Sequence, residues 1–85
     1  MGIDLTAKIE VTVNFSAGFR DFYSHLEDRQ IIKLDQPETI YSLIARLGIS
    51  SKMVLFATIN DRIVSKDYLI DKDTEINFIS PPAGG

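Results

Sequence analysis

Apolar and polar residues alternate along Lys8-Ile9-Glu10-Val11-Thr12-Val13-Asn14-Phe15, the period of a strand with one covered face. Ile9, Val11, Val13 and Phe15 share that face. From Ala17 the period lengthens: Phe19, Phe22, Tyr23 and Leu26 fall at i, i+3, i+4 and i+7, which predicts a short helix in the first connection. Arg29 to Asp35 predicts a second strand, antiparallel to the first. Pro37 and Thr39 then open the clearest helix. Thr39 offers an N-cap hydroxyl, Ile40, Leu43, Ile44 and Leu47 form the apolar stripe, and Gly48 supplies the left-handed residue that ends it. Met53 to Ala57 is an uninterrupted apolar run that predicts a strand covered on both faces, leading through Thr58 and Ile59 to a turn at Asn60-Asp61. Ile63-Val64 returns as a short strand. Past Asp67-Tyr68-Leu69-Ile70, the polar Asp71-Lys72-Asp73 predicts another turn, and Thr74 to Ile79 the last strand.

Strand, strand, helix, strand, short strand, strand is the order of a small α+β domain with a mixed sheet and one main helix on a face. A helix between strands calls for a right-handed crossover. The compact solution is a β-grasp, in which the sheet curls around the helix and the final strand lies centrally beside the first. Residues 1–79 form this domain, and residues 80–85 are expected to be a flexible tail.

Composition narrows what such a domain can do. At 85 residues there is room for one core, which buries roughly 60–65% of the unfolded chain's surface. No apolar run approaches the ~18 residues of a membrane span, and the cytoplasm is the expected compartment. Met1-Gly2-Ile3-Asp4-Leu5-Thr6 fits an acylation pattern, but so short a pattern arises by chance, and the segment reads as a disordered lead-in. A net charge of −3 provides no basic field for phosphates, which argues against nucleic acid. The absence of cysteine removes thiolate nucleophiles, persulfides, disulfides and thiolate metal sites, and no metal site is expected. His25, the single histidine, reads as a surface or packing residue. Asp71 and Asp73 are close carboxylates in a polar turn, solvated turn formers rather than an acid/base pair.

The candidate chemistry sits at the end of the chain. Pro81 and Pro82 favour extended geometry, and Ala83, Gly84 and Gly85 follow. At ~3.1 Å per residue, Ser80 to Gly85 reaches about 19 Å past the sheet, enough to enter another protein's active site. The prolines limit the entropy lost on docking, and glycine, lacking a Cβ, can thread a narrow channel.

Several pieces, in order, resemble the MoaD/ThiS sulfur carriers of the ubiquitin-like superfamily. They are Phe15-Ser16-Ala17 with Arg20, the Thr39-Ile40 to Leu47-Gly48 helix, Asn60-Asp61, and Ile70-Asp71, Asp73, Ile76 and Phe78 leading into Pro81-Pro82-Ala83-Gly84-Gly85. The proline pair is closer to the small subunit of molybdopterin synthase than to the thiamine-pathway carrier. Two features depart from the family: the tail is one residue shorter than the usual Pro-Pro-x-x-Gly-Gly, and Lys72 stands where the turn commonly has glycine. At positive φ, Lys72 would cost on the order of 1 kcal/mol.

The resemblance implies a ubiquitin-like β-grasp and a covalent carrier that is not itself an enzyme. The carboxylate of Gly85 would attack ATP to give an acyl-adenylate, a sulfur donor would displace AMP, and the thiocarboxylate would pass sulfur to a cofactor precursor. ATP would be used by a ubiquitin-activating-type adenylyltransferase, with no cofactor bound by the chain. A second partner would be a sulfur-transfer protein such as the large subunit of molybdopterin synthase. Pro81, Pro82, Ala83 and Gly84 would thread the active sites. The outward members of Met53 to Ala57, Phe56 among them, with Phe78 and Ile79, are candidates for the docking surface. The alternatives are a ubiquitin-like modifier joined to proteins through Gly85, a thiamine-pathway sulfur carrier, and a non-covalent module whose diglycine is incidental.

Overall fold

The computed structural model describes residues 8–81. The lead-in at residues 1–7 and the tail residues Pro82, Ala83, Gly84 and Gly85 lie outside the described residues. Strands β1 (Ile9–Phe15), β2 (Arg29–Leu34), β4 (Phe56–Ile59), β5 (Arg62–Val64) and β7 (Thr74–Ile79) form one sheet, in the order β2-β1-β7-β4-β5. Two-residue strands β3 (Glu38–Thr39) and β6 (Leu69–Ile70) pair separately. β1 and β2 are antiparallel, as the sequence predicts, and β7 runs parallel to β1 with Val13 opposite Ile76 and Phe15 opposite Phe78. The last strand is therefore central, with β4 antiparallel on its other side. The fold is a ubiquitin-like β-grasp.

The inner face of the sheet and helix α1 (Ile40–Arg46) share one core. Val11, Val13, Leu34, Ile76 and Phe78 are fully buried, as are Ile40 and Leu43 of the helix stripe. Thr39 is the N-cap, its Oγ1 accepting from Ser42 N–H at 3.2 Å, and Gly48 past the C-terminus has φ +73°. Two of the helix's orphan N–H groups are met from outside: Ile40 donates to Tyr68 O and Tyr41 to Lys66 O. The β3–β6 pair completes this collar, which no periodicity announces because two residues are too few to show one.

Two predicted elements differ. The first connection forms a 3-10 helix only over Ala17–Asp21, not an amphipathic helix reaching Leu26. Phe19 and Leu26 are buried, but Phe22 is 59% exposed. The residues that follow turn away to meet Arg29 at the start of β2, so the helical spacing is met by separate loop contacts. The apolar run from Met53 also divides. Met53 closes a 3-10 turn (Ser51–Met53), Val54 is buried, Leu55 is 53% exposed, and β4 begins only at Phe56. The strand has one covered face, because nothing packs over the outside of the sheet among the described residues.

The turns are polar as expected. Asn60 and Asp61 both have positive φ, 53° and 65°, the pattern of a two-residue hairpin loop joining β4 to β5. They are the only non-glycine residues with positive φ among those described, so Lys72 carries no such strain. Asp73 accepts the Glu10 N–H at 2.8 Å, capping the start of β1, while Asp71 is exposed. The aspartates are turn formers.

Glu38 joins β3 to the helix. Its carboxylate accepts from Ser42 Oγ at 2.6 Å and, in a forked pair, from Arg46 Nε at 2.8 Å and Arg46 Nη2. Arg46 first, then Ser42, holds the Glu38 carboxyl below its ordinary value of 4.5, and Glu38 in turn raises Arg46. A lowered folded-state value means the stabilisation is full above about pH 4.5 and is lost as the pH falls from there through the lowered folded-state value. Glu38→Gln should thus destabilise by on the order of 1 kcal/mol at pH 7. Paired urea melts should show the gap from wild type closing below pH 4.5. A gap that persists unchanged at pH 3 would show that the charge is not its source.

Candidate functional site

The geometry of interest is the root from which the C-terminal segment leaves the sheet. β7 is held along both edges to its last residue, and three hydrogen bonds fix its exit. Ser16 N–H donates to Phe78 O at 3.1 Å, Leu55 N–H donates to Ile79 O at 2.7 Å, and Ser80 N–H donates to Ser16 Oγ at 3.0 Å. The Ser16 and Ser80 hydroxyls are also 3.1 Å apart. Pro81, half-buried, is the last described residue. Ser80 is thus tethered one residue beyond the end of β7.

Beneath the root lies an aromatic cluster. Phe15 meets Phe19 edge-on at 5.2 Å between ring centroids and Phe78 at 5.8 Å. Phe78 is fully buried there, so it belongs to the core and not to a docking surface. Residues alternate along β7, and Phe78 shares the inner face with Ile76. The two other nominated apolar residues fare differently. Phe56 and Ile79 are directly opposite across the β4–β7 pair, both half-buried, on the outer face of the sheet.

The outer face has a hydrogen-bonded polar centre flanked by apolar residues. Asn14 Nδ2 donates to Glu75 Oε2 at 2.7 Å and Asn77 Oδ1 at 3.1 Å, and Asn77 Nδ2 donates to Thr58 Oγ1 at 3.3 Å. Opposite Thr58 stands Ile63, 70% exposed, while Ile31 of β2 is 58% exposed at the other edge. Leu55, Ile63 and Ile31 are apolar exposures that sequence reasoning did not name individually. Leu55 was one of an undivided run, and the outward direction of Ile31 and Ile63 is fixed only by register.

Among the described residues, nothing at the root is an evident acid, base or nucleophile: Ser16 and Ser80 are bonded to one another, and His25 is exposed beside the Tyr23 ring. The carboxyls with lowered values, Asp35 beside Lys8 and Glu38 beside Arg46, lie on other segments. Among the described residues, no three His, Asp or Glu side chains gather as a metal site would require. No helix of the described residues is long and apolar enough to cross a membrane. The described residues form a sheet-and-helix body whose last strand is fixed at its exit by Ser16 and Leu55.

Solved structures share this fold. A Pyrococcus furiosus chain named "Putative molybdopterin converting factor, subunit 1" superposes with a TM-score of 0.64 at 19% identity, over 87% of this chain and 99% of that one. The solution structure of a Haloferax volcanii protein gives 0.65, also at 19% identity, over 100% of this chain and 94% of that one. At such identities the likeness establishes the fold. Among curated proteins no match is found. The ThiS family model, however, matches residues 13–85, from the middle of β1 through the root and the diglycine, and the chain belongs to the ThiS family of sulfur carriers.

Proposed function

We propose that the chain carries sulfur as a thiocarboxylate on Gly85. The observation that supports this most is the extent of the family match, which runs through the arm to Gly85 itself. A Gly85 carboxylate oxygen attacks the α-phosphorus of ATP, and pyrophosphate leaves. A donor's sulfur then adds to the acyl carbon, and AMP leaves with the bonding pair of the C–O bond. The thiocarboxylate sulfur then bonds to an electrophilic carbon of the acceptor, and water cleaves the acyl C–S bond, leaving the sulfur on the acceptor and restoring the Gly85 carboxylate. Pro81 and Pro82 keep the arm extended, and Ala83 and Gly84 keep it slender enough for a channel.

The chain supplies no catalysis in this scheme. A ubiquitin-activating-type adenylyltransferase binds the ATP, and a sulfur-transfer protein receives the charged arm. The large subunit of a molybdopterin synthase is the proposed receiver, because Pro81-Pro82 ahead of the diglycine is closest to that branch. The cytoplasm is the proposed site of action. Phe56 and Ile79, on the outer face beside the root, are the proposed docking residues. With no cysteine in the chain, the carboxylate is the one group suited to holding the sulfur.

The test is to charge the protein with its adenylyltransferase, ATP and a sulfide donor, then digest with trypsin. Cleavage after Lys72 releases Asp73 to Gly85, which contains neither methionine nor cysteine. Replacement of oxygen by sulfur adds nearly the mass of an oxidation, so the absence of methionine removes the usual confusion. The expected result is that mass change on Gly85 after fragmentation. A peptide left unmodified under conditions that charge a proven carrier would overturn the proposal.

A further inference from the structure

We infer that Ser16 and Gly18 form a clasp that sets the direction in which the C-terminal arm leaves the sheet, and that they are positioning residues for its charging. This rests on the carrier reading above. Ser16 N–H and Ser16 Oγ take two successive points of the root: the amide donates to Phe78 O, and the hydroxyl oxygen accepts the Ser80 N–H. The backbone is thereby held one residue past the strand, where sheet pairing has already ended.

Gly18 closes the clasp from the same turn. A Cβ on Gly18 would lie 2.3 Å from Ser80 Oγ and 3.4 Å from Ser80 Cβ. A side chain at position 18 would make the Ser80 hydroxyl, the free end of a short side chain, rotate away from the Ser16 hydroxyl, while Ser80 Cβ stays at an ordinary contact distance and the Ser80 N–H bond to Ser16 Oγ remains available. The turn does not yield readily. Phe19, its next residue, is fully buried and stacked edge-on against Phe15, and Phe19 N–H donates to Ser16 O at 3.1 Å. The core thus holds the turn, the turn holds Ser80, and Ser80 sets the line along which Pro81 starts. Proline fixes φ, so an error in direction at Ser80 is carried outward rather than absorbed.

The consequence is separable from docking. The outer sheet face can bind a partner with the clasp open, but fewer of the bound arms then point into the active site. That is a loss of preorganisation, which lowers kcat while KM, set by the docked body, changes little. Ser16→Ala removes the acceptor, and Ser16→Thr retains it. Gly18→Ala expels the Ser80 hydroxyl, whereas Ser80→Ala empties the space it needs.

The experiment measures adenylate formation, as ATP–pyrophosphate exchange, with the adenylyltransferase held fixed and each carrier variant as substrate. Thermal melts and amide exchange at Ser80 are run on the same proteins. Ser16→Ala should lower kcat by roughly five- to tenfold with KM within about twofold, and Gly18→Ala, which displaces only the Ser80 hydroxyl, should lower it by roughly twofold. Ser16→Thr should restore the rate, and Gly18→Ala should cost nothing further on the Ser80→Ala background, the mark of two groups competing for one space. The Ser80 amide should exchange slowly in the wild type and fast in Ser16→Ala. Unchanged kcat in both single variants, or a loss that only follows the melting temperature, would overturn the clasp. A wild-type Ser80 amide without protection would overturn it directly, whatever the rates. If the wild type supports no adenylation while its Ser80 amide is protected, the carrier reading falls and the clasp's role in charging falls with it.

Discussion

One residue added after Gly85 is expected to reduce charging of the carrier by roughly 100-fold or more while leaving the melting temperature where it was. The extension moves the carboxylate by the length of a residue and places a side chain on the tip that a narrow channel must admit. The misplacement is several times the ~1 Å that already costs an active site much of its rate. Stability is spared because the sheet ends at Ile79, with Ser80 the last residue tied to it by a hydrogen bond among those described. Deleting Gly85 should have the same effect for the opposite reason, withdrawing the reacting group. Thermal melts beside an adenylation assay decide the matter. An extended chain that is still adenylated at the wild-type rate would place the chemistry elsewhere.

Phe78→Ala is expected to cost about 3–5 kcal/mol, a large part of the stability that a domain of this size possesses. The ring is fully buried, packs edge-on against Phe15, and lies on the central strand under the root. Its removal opens a cavity that neighbours on a paired strand cannot collapse to fill. Urea unfolding should show the midpoint falling steeply. Phe56→Ala, half-buried on the other face, should instead cost about 1 kcal/mol or less and weaken binding to the adenylyltransferase. The pair separates core from interface. Equal loss of stability in both would mean that the outer face is packed in solution, contrary to the arrangement described here.

These contrasts mark how far the sequence reaches. Periodicity alone found β1, with Val11 and Val13 buried, and caps together with an apolar stripe found α1, with Thr39 at its start and Gly48 past its end. Both signals are local, since a strand's two faces and a helix's orphan N–H groups are settled within a few residues of chain. The central place of β7 followed from topology rules. The tail was legible as candidate chemistry because prolines and glycines act through their own backbones, needing no neighbour.

Tertiary structure decided what depends on partners far along the chain. Phe56, Phe78 and Ile79 look alike as apolar residues near the tail, yet the pairing of β7 with β1 and β4 turns Phe78 into the core and leaves Phe56 and Ile79 outside. A shift of one residue in that pairing would exchange them. The spacing of Phe19, Phe22 and Leu26 is helical, but the connection must meet β2 at Arg29, and closure of that loop outweighs a weak local preference. Ser16 and Ser80 are 64 positions apart, and a hydrogen bond between them has no trace in local pattern. The sequence by itself determined most of the elements and marked the candidate end; the sheet register determined which residues hold the root of that end and which face outward, because register is fixed by burial summed over several strands at once.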